Sequence, residues 1–387
     1  MDRTDYETIC SLALNRIFGY MPVAAHSLLQ IYGSAGAVFE QTPSELDRTV
    51  GAYSKFRPQI NGRALEDAAS ELERLRELGC TFVPFGSKGY PPLLAECEDA
   101  PCGLYFRGSS PPEDVFGRKH YVAVVGTRDI SPYGRDWTRR IVGALGRCRV
   151  KPTVVSGLAI GVDINAHTAA LEAGLPTVAV IPVGIDSIYP VRHSGIAGRI
   201  ASTPGCAVVT DFVPGTGAAP FNFLRRNRII AGISGTTILA ESKATGGGTM
   251  TARLAAGYGR DVRALPGRID DVRSEGCNRL IMEKLAEPIT DLGTLCREIG
   301  LGRPASSGTS LEESLAACYG NADPDTASRI ISIAMLISRR RGILPEDIAS
   351  ELQLDYGSVS AALCLLESDG FVCTDFLKRC SIAKTIY

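Results

Sequence analysis

Residues 121–128 read YVAVVGTR, five largely apolar residues running into Gly126, Thr127 and Arg128. A run this short, rich in β-branched side chains and lacking polar alternation, predicts a strand buried on both faces. Similar runs follow at 153–155 (TVV), 177–181 (TVAVI), 207–210 (AVVT), 236–240 (TTILA) and 262–265 (VRAL), with helix-length segments of mixed polarity between them. Strands alternating with helices predict an α/β fold on a parallel sheet. Ligands of such sheets bind beyond the carboxyl ends of the strands. The loops expected there are Gly126-Thr127-Arg128, Ser156-Gly157 with the residues up to Asp163, the segment 182–190 (PVGIDSIYP), and Gly246-Gly247-Gly248-Thr249.

Outward from this core the pattern changes on both sides. Residues 1–80 read as short helices, among them a strongly amphipathic one at 64–78 closed by Gly79. Residues 80–118 form a Pro- and Gly-rich connector with short extended pieces such as Leu104-Tyr105-Phe106. Residues 302–310 (GRPASSGTS) have linker composition. Beyond them, helices at 327–339, 345–352 and 356–368 precede strands at 371–375 and 381–386, which is the winged-helix order. The expected division is a helical domain at 1–80, a sheet domain at 81–300, a linker at 301–323 and a winged helix at 324–387.

The 387 residues carry 41 basic and 42 acidic side chains, a formal net charge of −1. That excludes a generally polybasic protein but not a local basic groove. No run of 18 apolar residues predicts a membrane span, and the start MDRTD does not resemble a signal peptide, so a cytoplasmic location is expected. The 12 cysteines form no Cys-x-x-Cys pair and only four histidines are present, so neither a zinc site nor any other metal is expected. The cysteines read as small core residues.

Glycines at helix starts let backbone N–H groups approach an anion. Several such loops on one edge, together with Arg128, predict phosphate binding there. The ligand is not read as a dinucleotide, because Gly126-Thr127-Arg128 does not continue as Gly-x-Gly-x-x-Gly, and no P-loop pattern occurs. The segment 221–230 (FNFLRRNRII) places Arg225, Arg226 and Arg228 beside Phe221 and Phe223. Arginines suit phosphates and an exposed ring suits a base. The alternative is a solvated helix start with Phe221 in the core. Asp163 reads as a helix cap and His167 as a structural histidine. Three classes stand open: a nucleic-acid-binding mediator, a nucleotide phosphoribohydrolase, and a winged-helix transcription regulator. In the second, the catalytic acid position after Gly246-Gly247-Gly248-Thr249 is Ala252, so no catalytic residue and no cofactor is expected. Against the third, residues 342–377 contain no Lys or Arg but carry Glu346, Asp347, Glu351, Asp355, Glu367, Asp369 and Asp375, which would repel DNA phosphates. Only Lys378, Arg379 and Lys384 could offset them. A protein-contact or autoregulatory role suits this acidic unit better.

The ordered motifs VVGTR, SGLAIGVDINAH, IPVGIDSIYP, FLRRNRIIAGIS, GGGTMTA, GRDVRALPG and EGCNRLI, with YPPLL and LYFRG upstream, resemble the DNA-processing protein DprA (Smf) family. The resemblance implies an extended Rossmann-like sheet domain between an N-terminal SAM or helix-hairpin-helix-like domain and a C-terminal winged helix. It implies a homodimer that binds and protects single-stranded DNA and loads the RecA recombinase during natural transformation, with single-strand-binding protein as a further partner. Carried over to this sequence, Arg128 of Gly126-Thr127-Arg128 grips a phosphate and Phe223 stacks on a base. Ser156-Gly157, Arg225, Arg226-Asn227-Arg228 and Gly247-Gly248-Thr249 complete the implied contact surface. Leu280, Ile281 and Leu285, at helical spacing, are the implied dimer contacts. The chain departs from the family at Pro220, where some members carry a lysine, at Thr210-Asp211 in place of Ser-Glu, and at Gly19-Tyr20-Met21, which lacks the second glycine of a duplex-binding hairpin.

Overall fold

The computed structural model describes residues 3–305, 311–320, 322–340 and 342–383, and the chain divides after Pro304 into two compact units. The first is built on a nine-stranded sheet of β1 (Thr81–Pro84), β2 (Gly103–Arg107), β3 (Tyr121–Gly126), β4 (Thr153–Ser156), β5 (Thr177–Val180), β6 (Ala207–Thr210), β7 (Thr236–Glu241), β8 (Asp261–Ala264) and β9 (Glu287–Pro288). Their order is β1-β2-β6-β5-β4-β3-β7-β8-β9. From β6 to β9 every pairing is parallel, while β2 runs antiparallel to β6 and β1 antiparallel to β2. The connector expected at 80–118 thus supplies two antiparallel strands, with β1 at the edge of the sheet.

Both faces of the parallel region are covered, which is why its strands lack polar alternation. Val122 and Val124 of β3 pack with Ile141, Leu145, Ala166 and Ala170, from helices Pro132–Arg147 and Val162–Glu172. Ala123 and Val125 face the other way, onto Ile229, Ile230, Ala252 and Ala255, from helices Pro220–Ile233 and Gly247–Gly257. Chain progress runs outward from β3 to β6, then returns to β7 on the other side of β3. That reversal opens a crevice between the carboxyl ends of β3 and β7.

The N-terminal helices belong to the same compact unit. Leu12, Leu72 and Leu75, from helices Arg3–Phe18 and Gly62–Glu77, share a core with Phe82, Tyr105 and Val208 at the β1–β2–β6 edge. Glu71 is buried there, accepting from Tyr105 Oη at 2.5 Å and pairing with Arg16. Residue 80 therefore marks a change of element type inside one packed body.

The second unit has helices Leu311–Tyr319, Pro324–Arg339, Pro345–Leu352 and Tyr356–Ser368, then the antiparallel hairpin β10 (Val372–Thr374) and β11 (Cys380–Ile382). The linker expected at 301–323 is too long by this helix. Leu311, Leu315 and Tyr319 recur every four residues and pack on Ile330, Ile333 and Leu366. Part of the acidic charge is spoken for: Asp355 caps the Tyr356–Ser368 helix through Ser358 N, and Asp369 accepts from Tyr319 Oη. Lys384 and the end of the second expected strand lie outside the described residues.

One of the implied dimer contacts is corrected. Helix Glu275–Met282 turns Cys277 and Leu280 onto the sheet, so Leu280 is fully buried in the core and Ile281 is half-buried against it. Only Leu285 of the three is exposed, together with the neighbouring Met282. Leu280→Ala should accordingly lower unfolding stability by about 2–5 kcal/mol in urea titrations. Met282→Ala should change it by less than about 0.5 kcal/mol.

Candidate nucleic-acid interface

The crevice begins with a stapled loop. Thr127 N donates to the Glu241 carbonyl at the end of β7 at 2.7 Å, and Val162 N donates to the Thr127 carbonyl. The buried Glu241 carboxylate accepts from Ser131 N at 2.8 Å and Ser131 Oγ at 2.5 Å, while Ser131 caps the helix that follows. Residues 127–131 are therefore anchored at both ends, and Arg128 between the anchors is exposed. Two glycines permit this closeness. Gly161 has φ +88°, and a Cβ there would run into the Thr127 carbonyl; a Cβ on Gly248 would lie 2.7 Å from Gly126 Cα.

The Arg128 guanidinium carbon sits 4.4 Å from the centroid of the Phe223 ring, and Tyr189 meets that ring edge-on at 5.4 Å. Phe223 is half-buried, and Arg128 has no carboxylate partner among the described residues. Position 243, directly after β7, adds an exposed lysine that the sequence reading missed. Its signal was its place: a cation at the carboxyl end of a strand beside the reversal point. Gly126 and Thr127 are half-buried and Gly247 is exposed, at the start of a helix whose N-cap, Gly246, has no capping side chain.

The rest of the implied surface lies inside the protein. Ser156 is buried and donates its hydroxyl to the Val124 carbonyl at 2.7 Å; the Gly157 carbonyl accepts from Arg226 at 2.5 Å. Gly248 and Thr249 are buried, and the Thr249 hydroxyl donates to the Lys243 carbonyl at 2.8 Å. Asn227 is buried, with its amide 3.4 Å from the Gly247 carbonyl. These loops hold one another rather than presenting an open phosphate cradle.

The arginine cluster needs the larger correction. Residues 226–233 of their helix are buried against the sheet, so the guanidinium groups reach through the interior. Arg226 donates to the Gly157 and Val180 carbonyls; burial draws its pKa down to about 10, which still leaves a cation at neutral pH. Arg228 pairs with the buried Asp211 carboxylate at 2.5 Å and donates to the Asp99 carbonyl. Arg225 pairs with the same Asp211 oxygen at 2.9 Å and donates to the Gly19 carbonyl. Three arginines in four residues read as an exposed basic stripe, but Asp211 at the end of β6 had been the sign of internal pairing.

Asp163 and His167 lie beneath the loops and are held by internal contacts. Asp163 is pushed up by burial, an effect opposed by Arg226, and accepts from Ala159 N at 3.4 Å, bracing the loop before its helix. His167 Nδ1 lies 2.8 Å from Thr177 Oγ1, whose hydrogen is donated to the Val154 carbonyl, so Nδ1 carries the imidazole proton. Burial pulls this histidine down to about 3. Ala252 is buried in the core. Among the described residues no group of three or more His, Cys, Asp or Glu side chains could hold a metal ion, and no helix is long and apolar enough to cross a membrane.

The family model described as DNA recombination-mediator protein A matches residues 81–300. Protein Smf of Synechocystis is 31% identical over 271 residues, covering 70% of this chain and 67% of that protein. Protein Smf of Escherichia coli is 38% identical over 202 residues, covering 52% of each. DNA processing protein DprA of Streptococcus pneumoniae is 39% identical over 194 residues, covering 50% of this chain and 66% of that protein. The matched segments thus span about half to two thirds of these curated relatives. The solved Streptococcus pneumoniae DprA structure superposes with a TM-score of 0.65 at 29% identity, covering 77% of this chain and 99% of that one. DNA processing protein A of Helicobacter pylori, in a structure addressing its single-stranded DNA binding mode, gives 0.50 at 26%, covering 57% and 95%.

Two outcomes follow from the buried charges. Asp211→Ala should cost about 3–5 kcal/mol of unfolding stability, by leaving two buried guanidinium groups without their carboxylate, whereas Arg228→Ala should cost less, because Arg225 still pairs with the same Asp211 oxygen. Arg128→Ala, which loses an exposed ring contact, should cost less than about 1 kcal/mol. For His167, the unfolded chain takes up the proton first, so its contribution is intact above pH ~6.5 and falls by roughly 1.4 kcal/mol per pH unit as pH drops toward 3. Imidazole NMR should show His167 neutral down to about pH 4, and His167→Gln should flatten the acid limb of stability.

Proposed function

The chain belongs to the DNA recombination-mediator protein A family, and we propose that it binds single-stranded DNA along the crevice between β3 and β7 as a recombination mediator. The observation that carries this reading is the exposed Arg128 guanidinium held over the Phe223 ring at the reversal point of the sheet. A guanidinium there offers a phosphate a bidentate, charge-assisted partner. The ring beneath it offers a base a stacking surface. Strand separation matters, because in a duplex both faces of each base are already covered, whereas an unpaired base has one free to stack. Lys243 and the free helix start at Gly247 would take neighbouring phosphates.

In this role the protein protects incoming DNA and delivers it to the RecA recombinase in natural transformation. It acts in the cytoplasm as a homodimer that uses the exposed side of helix Glu275–Met282 with Leu285. Support for a binding role rather than hydrolysis comes from the site itself. Glu241 is committed to Ser131, and Ala252 stands where an acid would be needed. The C-terminal unit, read as a winged helix with an acidic face, suits contact with a protein better than with DNA.

Titrations of single-stranded and duplex DNA across a salt series test this. Single strands should bind more tightly. Arg128→Ala and Lys243→Ala should each flatten the slope of log affinity against log salt by about 0.7. Phe223→Ala should cost roughly 1–3 kcal/mol of binding with an unchanged slope. Parent-like slopes in both cation variants would place the strand elsewhere.

A further inference from the structure

Two more aromatic rings stand in solvent at the start of the Phe223 helix. Phe221 is 61% exposed, and Tyr20, in the turn between helices Arg3–Phe18 and Pro22–Tyr32, is 64% exposed. Their centroids lie 6.3 Å apart with 27° between the planes, an offset-stacked arrangement. The Arg225 guanidinium carbon lies 4.2 Å from the centroid of Tyr20, and the same guanidinium donates to the Gly19 carbonyl. Because Arg225 is itself paired with Asp211, the turn that carries Tyr20 is tied to the end of β6. The two rings are therefore held in place while left uncovered.

Charge indicates what kind of partner the pair suits. Residues 8–39 contain no Asp or Glu, and neither do residues 212–240. The adjoining carboxylate, Asp211, is buried and bonded to both Arg225 and Arg228. Neither segment brings an exposed negative charge to repel a polyanion, and a cation backs one of the rings. Phe221 precedes Phe223 by two residues, about 200° around the same helix, so the two rings flank its start on different sides.

We infer that Tyr20 and Phe221 form a second base-stacking platform, so that a strand held at Arg128 and Phe223 continues over the helix start onto the N-terminal turn. This rests on the single-stranded DNA reading and lengthens its path. It also assigns the N-terminal helices a role on single strands, although Gly19-Tyr20-Met21 lacks the glycine pattern of a duplex-binding hairpin.

The test is oligo(dT) binding by the full chain, with thermal unfolding and sedimentation measured alongside. Tyr20→Ala and Phe221→Ala should each weaken binding by about 5- to 150-fold, the equivalent of one lost base–aromatic stack, with an unchanged salt slope. Tyr20→Phe should bind like the parent; Tyr20→Leu, apolar but not aromatic, should not. The emission of a Tyr20→Trp variant should be quenched by the oligonucleotide. If Tyr20→Ala and Phe221→Ala bind normally while Arg128→Ala and Phe223→Ala bind weakly, the second platform is overturned and the first reading stands. Normal DNA binding with altered sedimentation would make the pair a protein contact and likewise overturn the inference. A parent chain that binds no single strands would overturn both.

Discussion

One buried carboxylate organises this molecule. Asp211 follows β6, and a single oxygen accepts from both Arg225 and Arg228. Desolvating three charges is costly, and the cost is tolerable only where pairing is close and the remaining donors find acceptors. Here Arg225 and Arg228 also reach the Gly19 and Asp99 carbonyls, although the second Asp211 oxygen is buried without a partner among the described residues. The result is a junction joining the sheet, the N-terminal turn, the segment before β2 and the Pro220–Ile233 helix. That helix carries Phe221 and Phe223, so the placement of both rings follows from the ion-pair cluster that fixes it.

A second constraint acts from the other side of the crevice. Gly126 and Gly248, from loops after β3 and β7, approach too closely for any side chain between them, and Gly161 does the same beneath Thr127. The glycines bring loops together, and the loops leave Arg128 outside. Arg226 completes the arrangement from within, bonding to Gly157 after β4 and to Val180 of β5. Most residues of the proposed site thus hold one another, and few are left exposed. Such fixed placement of a cation and a ring would lower the ordering cost of binding the flexible strand proposed above.

Much of the fold was legible from local pattern. The β3 run YVAVVGTR, with its successors, predicts a parallel sheet because a strand covered on both faces must be apolar throughout. Arg128 and Phe223 were legible as candidates because strand ends and ring-bearing basic segments have a simple chemical reading. Where the reading failed, the reason was direction. Spacing placed Leu280, Ile281 and Leu285 on one helix, yet the chain alone did not say that Leu280 faces the sheet. Composition marked only 302–310 as linker, and the expected division extended it to 323, while Leu311, Leu315 and Tyr319 had a partner only in the folded tail.

The arginines divide what sequence decides from what it does not. Residue type and short-range periodicity suffice for the α/β class, the loops at the carboxyl edge of the sheet, the absence of a P-loop pattern and the acidity of the C-terminal unit. That Arg225, Arg226 and Arg228 serve as internal clamps while Arg128 stays exposed emerges only from the folded chain. A guanidinium bonds a carbonyl, a carboxylate or a phosphate with the same geometry. Which of these it meets depends on residues up to 206 positions away in the chain, as Arg225 and Gly19 show.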